Sequence, residues 1–256
     1  MEHLKRQVYD FINSPFGTLL CAPLIRQPIV SGSLRVHTDA ERVLTSQKVQ
    51  IRLGRYERYE RMLVRKYFRS DLNTVDLGAS LGVISCEILG RLKTGKLISV
   101  EADPQLCQIA RRNIGFNYPA SHVEVVNAAI VTETVTAASV EFGRPLSGTQ
   151  GGHVLGTIDG HTEVIAVPTV TLTEIIRKLD GGNFQLACDI EGSEIPLFIH
   201  SIEAFRKCEL MMIELHHSSY AGIDYSPRQV EALIIDNLGM KKSHQNGNVY
   251  LFVRGS

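Results

Sequence analysis

The chain has 256 residues, enough for one large domain or two small ones, and a sizeable core is possible at this length. Its 27 Lys plus Arg balance 27 Asp plus Glu, which argues against a chain built mainly to coat nucleic acid or an anionic membrane. Cys21, Cys86, Cys107, Cys188 and Cys208 are scattered without a CxxC pair, which points away from a zinc ribbon or a disulfide framework and towards small core residues in a reducing compartment.

Residues 1 to about 50 contain Pro15, Pro23, Pro28 and a Ser31-Gly32-Ser33 turn between short apolar runs. Residues 1–54 are therefore expected to form an N-terminal cap that covers substrate, ahead of a main domain over 55–256. The apolar run Phe16–Ile25 is too short to span a bilayer and is flanked or broken by prolines, so a cytoplasmic protein without a membrane span is expected. From Arg52 to Arg69 the spacing of Tyr56, Tyr59, Leu63 and Tyr67 predicts one amphipathic helix. Its basic face reads first as a solvated surface; the functional reading is a clamp for an anionic acceptor.

Strands and helices then alternate: strand Thr74–Leu77, helix Val83–Leu92, strand Lys96–Val100, helix Pro104–Asn113 capped by Asp103, and strand His122–Asn127. That order implies a mostly parallel sheet with helices on both faces. Residues 131–169, rich in Gly, Thr and Val, break the alternation and are expected to form a β-hairpin insertion. The capping box "TLTE", Thr171 to Glu174, opens a helix to Leu179. Strands Phe184–Asp189, Glu209–Leu215 and Val249–Val253 follow, with a helix over Pro227–Leu238.

The turn after the first long strand, "TVDLGASLGVIS", is the main chemical signal. A dinucleotide fingerprint GxGxxG counted from Gly78 would need glycine where Ser80 and Val83 stand, so a nucleotide-dependent oxidoreductase is disfavoured. What remains is Asp76, Gly78 and Gly82, a carboxylate just ahead of a turn that lets a ligand approach the backbone. Glu101 ends the next strand, where an acidic residue can accept both hydroxyls of a ribose. The Asp76 carboxylate suits a positively charged amino group better than a pyrophosphate, and ribose plus an ammonium group points to S-adenosylmethionine. A Gly-rich turn alone is more often structural than functional, and it is the joint pattern that carries the reading.

The blocks "VDLGASLGVIS", "VEADPQLCQIARRNIGFN", "TVTLTEII", "ACDIEGSE" and "MMIELHH" resemble, in order and spacing, those of the FkbM-like S-adenosylmethionine-dependent methyltransferases, over roughly Gly54 to His217. The resemblance implies an O-methyltransferase acting on a hydroxyl of a sugar, glycan or secondary metabolite. It also implies an α/β fold of the Rossmann-like class I methyltransferase type, with a mostly parallel seven-stranded sheet. Carried over, it places Asp76, Gly78, Ala79, Ser80 and Gly82 around the methionine part of the cofactor, Glu101 and Ala102 at the ribose, and Asn127 with Ala128 beside the adenine. Tyr56 and Glu57 align with a motif ahead of the first strand, on the acceptor side. Two departures stand out: Ala187 where the family often has lysine, and Ala79-Ser80 for the commoner Ala-Asn.

Methyl transfer to a hydroxyl is an in-line displacement that needs positioning and a nearby base. Asp189 ends a strand on the same sheet edge as Asp76 and Glu101, followed by Glu191 and Glu194 in the turn. Glu214 and His216 share one face of the next strand, and His217 points the other way. Asp189, His216 and Glu191 are the expected catalytic group, with His216 accepting the proton and Asp189 orienting it. Glu191, Glu214 and His217 are expected to contact the acceptor. Asp189, Glu214 and His216 could instead hold Mg or Mn, although the spacing shows no fixed coordination motif. A third alternative is a catalytically inactive binding protein that keeps the cofactor fold. No nucleic-acid partner is expected.

Overall fold

The computed structural model describes residues 2–38, 43–121, 123–145, 153–154 and 162–255. The N-terminal segment forms α1 (Glu2–Asn13), α2 (Pro15–Cys21) and the hairpin β1 (Ile29–Ser31) and β2 (Leu34–Val36). Ser14 caps α2 by accepting the Gly17 amide at 3.1 Å, and Pro15 occupies the first helical position, where a missing N–H costs nothing. A separate, unanticipated helix α3 (Thr45–Arg52) comes next, and of the helix expected over Arg52–Arg69, α4 (Arg58–Tyr67) forms. The break has a local cause. Gly54 (φ 65°) and Glu57 (φ 49°) adopt the left-handed conformation, which a helix cannot contain.

The alternating region follows as β3 (Asn73–Leu77), α5 (Val83–Leu89), β4 (Leu97–Glu101), α6 (Pro104–Asn117) and β5 (Val123–Asn127). His122, the expected first residue of that last strand, lies outside the described residues. Helix α5 ends earlier than its apolar pattern suggested, and α6 runs a further turn. The added turn is held from outside: Asn117 exchanges hydrogen bonds with the Arg35 backbone, and Asn113 with that of His37, so α6 clamps β2.

The insertion comprises β6 (Ala129–Val131), β7 (Ser139–Pro145), β8 (His153–Val154) and β9 (Thr162–Thr171). As expected it contains a hairpin, β7 pairing antiparallel with β9 from Ser139–Pro168 to Pro145–Thr162. Most of its Gly-rich centre lies outside the described residues. Next come α7 (Leu172–Lys178), β10 (Phe184–Cys188), α8 (Glu194–His200), a 3₁₀ turn over Ile202–Lys207, β11 (Cys208–Glu214), β12 (Ser218–Tyr220), β13 (Ile223–Tyr225), α9 (Pro227–Leu238), β14 (Met240–Asn246) and β15 (Val249–Arg254). The Thr171–Glu174 capping box makes both of its reciprocal bonds.

The main sheet has seven strands in the order β14-β15-β11-β10-β3-β4-β5. The five from β11 to β5 are parallel, and β15 and β14 run antiparallel at one edge. This is the expected Rossmann-like class I methyltransferase fold. Alternate strand residues feed two cores: Leu186, Met211 and Ile213 pack with Ile175, Phe198 and Ile234 on one face, while Ala187, Leu210 and Met212 pack with Val64, Ile88 and Leu106 on the other. Cys86, Cys107, Cys188 and Cys208 are buried, and the five thiols are free. Among the described residues no helix is long and apolar enough to cross a membrane.

Part of the basic face of α4 is used within the protein, while Arg58, Arg65 and Lys66 stay exposed. Arg61 is buried against Glu87 at 2.8 Å and donates to Ser31, and Arg65 pairs with the same carboxylate. These bonds tie α4, α5 and the β1–β2 turn together. Removing one partner of a buried pair strands the other charge, a loss of about 3–5 kcal/mol. Glu87→Gln is therefore expected to lower unfolding stability on that scale in urea titrations; a loss within experimental scatter would show that the pair holds nothing together.

Candidate active site

The strand order reverses between β3 and β10, so their carboxyl ends open a crevice where open α/β sheets bind ligands. The two ends approach unusually closely. The Asp189 amide donates to the Leu77 carbonyl at 2.9 Å, and a Cβ on Gly78 would lie 1.8 Å from the Asp189 carbonyl oxygen. Gly78 also has φ 84°, so no other residue fits this position without moving a strand.

One side of the crevice is a cavity whose lining includes Tyr56, Ser80, Glu101, Asp103, Phe142 and Asp189. Glu101 stands at its centre. Its Oε2 accepts the Ser80 amide at 2.7 Å and its Oε1 the Asp103 amide at 2.8 Å, which fixes the carboxylate and leaves lone pairs on both oxygens. Burial pushes the Glu101 carboxyl up to about 7, although the amides of Asp103 and Ser80 pull the other way. Apolar walls come from Ala128, Ile130, Leu106 and Phe142. Phe142 and Pro145 belong to the insertion hairpin, so that hairpin walls the Glu101 side of the crevice.

The other side is narrower and acidic, lined by Glu57, Glu60, Asp76, Asp189 and Glu214. Asp76 is fixed by the Ser85 hydroxyl, and burial raises its carboxyl to about 6. Burial and the neighbouring acids Glu60, Asp189 and Asp76 hold Glu57 well above the usual carboxylate range, and its Oε2 is shut from solvent without a hydrogen-bond partner. Burial raises Glu60, and burial, then the charge of Asp189, raises Glu214 to about 8. His216 Nε2 lies 3.0 Å from Asp189 Oδ1, and its Nδ1 is 3.9 Å from Glu191 Oε2. Burial pulls the imidazole down, but the hydrogen bond and charge of Asp189, with Glu191 and Glu214, outweigh it and raise it to about 9.

Backbone conformation marks the same place. Of the five non-glycine residues with positive φ among the described residues, three line the crevice: Glu57 (49°), Ser80 (48°) and Glu191 (52°). Such conformations cost of order 1–3 kcal/mol each and cluster at functional sites.

Of the residues singled out in the sequence, Tyr56, Glu57, Gly78, Ser80, Glu101, Ala102, Ala128, Asp189 and Glu191 line the larger cavity, and Asp76 and Glu214 the acidic one. Others serve the frame. Gly82 starts α5 with φ 75°, and a Cβ there would press on Ala110 of α6. Ala79 is buried, and its amide donates to the Val100 carbonyl. The Asn127 amide donates to the Glu101 and Ala102 carbonyls, both at 2.9 Å, so it fastens the end of β4. His217 is exposed and lines neither cavity. Sequence reasoning missed Glu60, Asp103 and Phe142 as lining residues. Glu60 follows Glu57 by one helical turn, a signal that was available; Phe142 comes from a distant hairpin, and no local pattern marks it.

A mostly parallel sheet with a ligand crevice at its switch point, a buried carboxylate at the end of β4 and acids at the ends of the central strands define the class: a Rossmann-like fold that binds a nucleoside-bearing cofactor. The methyltransferase FkbM domain matches residues 76–248, more than half of the chain, and the chain belongs to the FkbM methyltransferase family. The match begins at Asp76 and runs past His217, where the motifs had suggested Gly54 to His217. Among solved structures, the chain is similar to magnesium protoporphyrin IX methyltransferase (ChlM) from Synechocystis PCC 6803 with bound SAM, at 10% identity over 98% of this chain and 97% of that one, TM-score 0.49. It is also similar to precorrin-6y C5,15-methyltransferase from Geobacter metallireducens GS-15, at 14% identity over 90% of this chain and 100% of that one, TM-score 0.46. No curated protein matches the chain.

The buried acids make stability depend on pH. Asp76, Glu101 and Glu194 all titrate higher in the folded chain than in the unfolded one, at about 6, 7 and 7. Between their unfolded and folded values the folded state binds more protons, so their contribution is full below the unfolded values and lost as pH rises through about 7. Urea unfolding of the ligand-free chain is expected to show stability falling from pH 5 to pH 7.5, with a shallower fall in Glu101→Gln. A rise over that window contradicts the assignment.

Proposed function

We propose that this chain is an S-adenosylmethionine-dependent O-methyltransferase whose acceptor is a hydroxyl of a sugar, glycan or secondary metabolite. The observation that carries the reading is Glu101, a buried strand-end carboxylate held by two amides and lining the cavity at the switch point. S-adenosylmethionine supplies a methyl group made electrophilic by its sulfonium, and the residues present fit its parts. Glu101 accepts hydrogen bonds from the two ribose hydroxyls. Ala128, Ile130 and Phe142 enclose a purine base. The turn at Gly78 and Ser80 receives the amino-acid end, whose ammonium is drawn to the acids beyond it. In this reading residues 1–54 are a cap and 55–256 the methyltransferase domain, with 131–169 inserted.

The acceptor side follows from charge. The acidic side, lined by Glu57, Glu60 and Glu214, offers carboxyl groups that hydrogen-bond a hydroxyl-rich molecule and, among its described lining residues, no cationic group for phosphates, which argues against nucleic acid. It also argues against an anionic acceptor, since Arg61, Arg65 and Arg69 are engaged in ion pairs. With its proton held up to about pH 9, His216 balances charge, and Asp189 is the group that takes the acceptor hydroxyl's hydrogen bond. The roles suggested by sequence are thereby exchanged. An oxidoreductase is disfavoured by Ser80 and Val83, and an inactive binding protein would have no use for the Asp189–His216 pair.

Glu101→Gln is expected to weaken S-adenosylmethionine binding by about 1.5–3 kcal/mol, read by calorimetry. Asp189→Asn and His216→Ala are expected to lower kcat by about a hundred- to ten-thousandfold with cofactor affinity near wild type. If they act as a unit, the double variant loses little beyond the worse single one. Full kcat in either folded variant sinks the acceptor-side assignment, and unchanged cofactor affinity in Glu101→Gln sinks the ribose contact.

A further inference from the structure

The acidic side of the crevice has more negative groups than the proposed reaction needs. Among the described residues, none of Glu57, Glu60, Asp76, Asp189 and Glu214 makes an ion pair with lysine or arginine, and His216 is the group's one basic partner. Within this group, Asp189, Glu214 and His216 each offer a ligand atom, all within 4.8 Å of one another. They come from the ends of two adjacent strands, β10 and β11, whose parallel register places them on a rigid frame. Independently of that triad, Glu57, which lines the same small cavity as Asp189 and Glu214, has an Oε2 that is shut from solvent and without a hydrogen-bond partner. A buried oxygen of that kind is costly unless something binds it.

We propose that Asp189, Glu214 and His216 form a binding site for one small divalent cation of the Mn²⁺ class, with Glu57 as an outer acceptor for a water on the ion. The ligand set decides the kind of ion. Two carboxylates with one imidazole suit Mn²⁺ better than a zinc or copper site rich in nitrogen or sulfur. The imidazole nitrogen argues against Ca²⁺, which takes six to eight oxygen ligands, and the 3.0 Å between His216 Nε2 and Asp189 Oδ1 is compatible with neighbouring positions on an octahedral ion with bonds of about 2.1 Å. On binding, the ion takes the place of the proton between these two atoms, and that proton leaves to solvent. Three protein ligands leave positions open on the crevice side. Resting on the methyl-transfer reading, an open position orients the acceptor hydroxyl and eases the loss of its proton.

The site itself is tested without cofactor or acceptor. The chelator-treated full chain is titrated with Mn²⁺ while free ion is followed by electron paramagnetic resonance, with circular dichroism confirming that each variant is folded. One ion per chain is expected, and Asp189→Asn and Glu214→Gln should each weaken binding at least about tenfold, the scale on which lost ligand support acts. His216→Ala gives the same test should either carboxylate variant fail to fold. Mg²⁺ should compete with Mn²⁺ more effectively than Ca²⁺ does. Absence of binding at millimolar Mn²⁺, or equal affinity in wild type and the folded variants, overturns the site; Ca²⁺ competing better than Mg²⁺ overturns the small-ion assignment. Failure here leaves cofactor affinity and its loss in Glu101→Gln as they stand, so the two readings fail separately.

Discussion

The backbone contact between Gly78 and Asp189 is the constraint on which the site depends. The ends of β3 and β10 lie so close that a Cβ on Gly78 would overlap the Asp189 carbonyl, and the Leu77 carbonyl is already used by the Asp189 amide. That closeness puts the acid that closes β3, Asp76, and the acid that follows β10, Asp189, on opposite walls of one crevice. Glu101 joins from β4, held by the amide of Ser80 in the turn that Gly78 permits. A wider gap at the switch point would separate the two cavities and dissolve the arrangement.

Convergence of this kind is unfavourable until something binds. Burial raises Asp76, Glu57, Glu101 and Glu214, and like charges add to the effect on each. The left-handed backbone at Glu57, Ser80 and Glu191 adds strain at the same place. The frame around them supplies what the site lacks. Two apolar cores cover both faces of the sheet, and the Arg61–Glu87 pair ties α4, whose first turn presents Glu60, to α5. Stability is thus concentrated beneath the crevice and relinquished at its rim, as expected where binding returns it.

Much of this is legible in the sequence because it is local. Asp103-Pro104 marks the start of α6, the Thr171–Glu174 box marks α7, and Asp76, Glu101 and Asp189 read as strand ends because short apolar runs stop there. The break between α3 and α4 is not legible, since the tyrosine and leucine spacing continues in phase across Leu53–Glu57 while the backbone does not. Asn127 and Gly82 look like ligand contacts from their positions in a motif, yet their atoms are spent on β4 and α6. Phe142 reaches the crevice only through the β7–β9 pairing, a non-local contact that no window of sequence contains. The raised His216 is likewise a property of acids from two segments, Asp189 and Glu191 after β10 and Glu214 on β11, which is why the order of roles between it and Asp189 changes once the geometry is known.

The central claim is that the crevice at the β3–β10 switch point binds S-adenosylmethionine and no dinucleotide. Isothermal titration of the purified full chain with S-adenosylmethionine, and in parallel with NAD⁺ and NADP⁺, tests it directly. The account predicts one S-adenosylmethionine site per chain and no measurable heat from either dinucleotide. Saturable dinucleotide binding together with no binding of S-adenosylmethionine would contradict it.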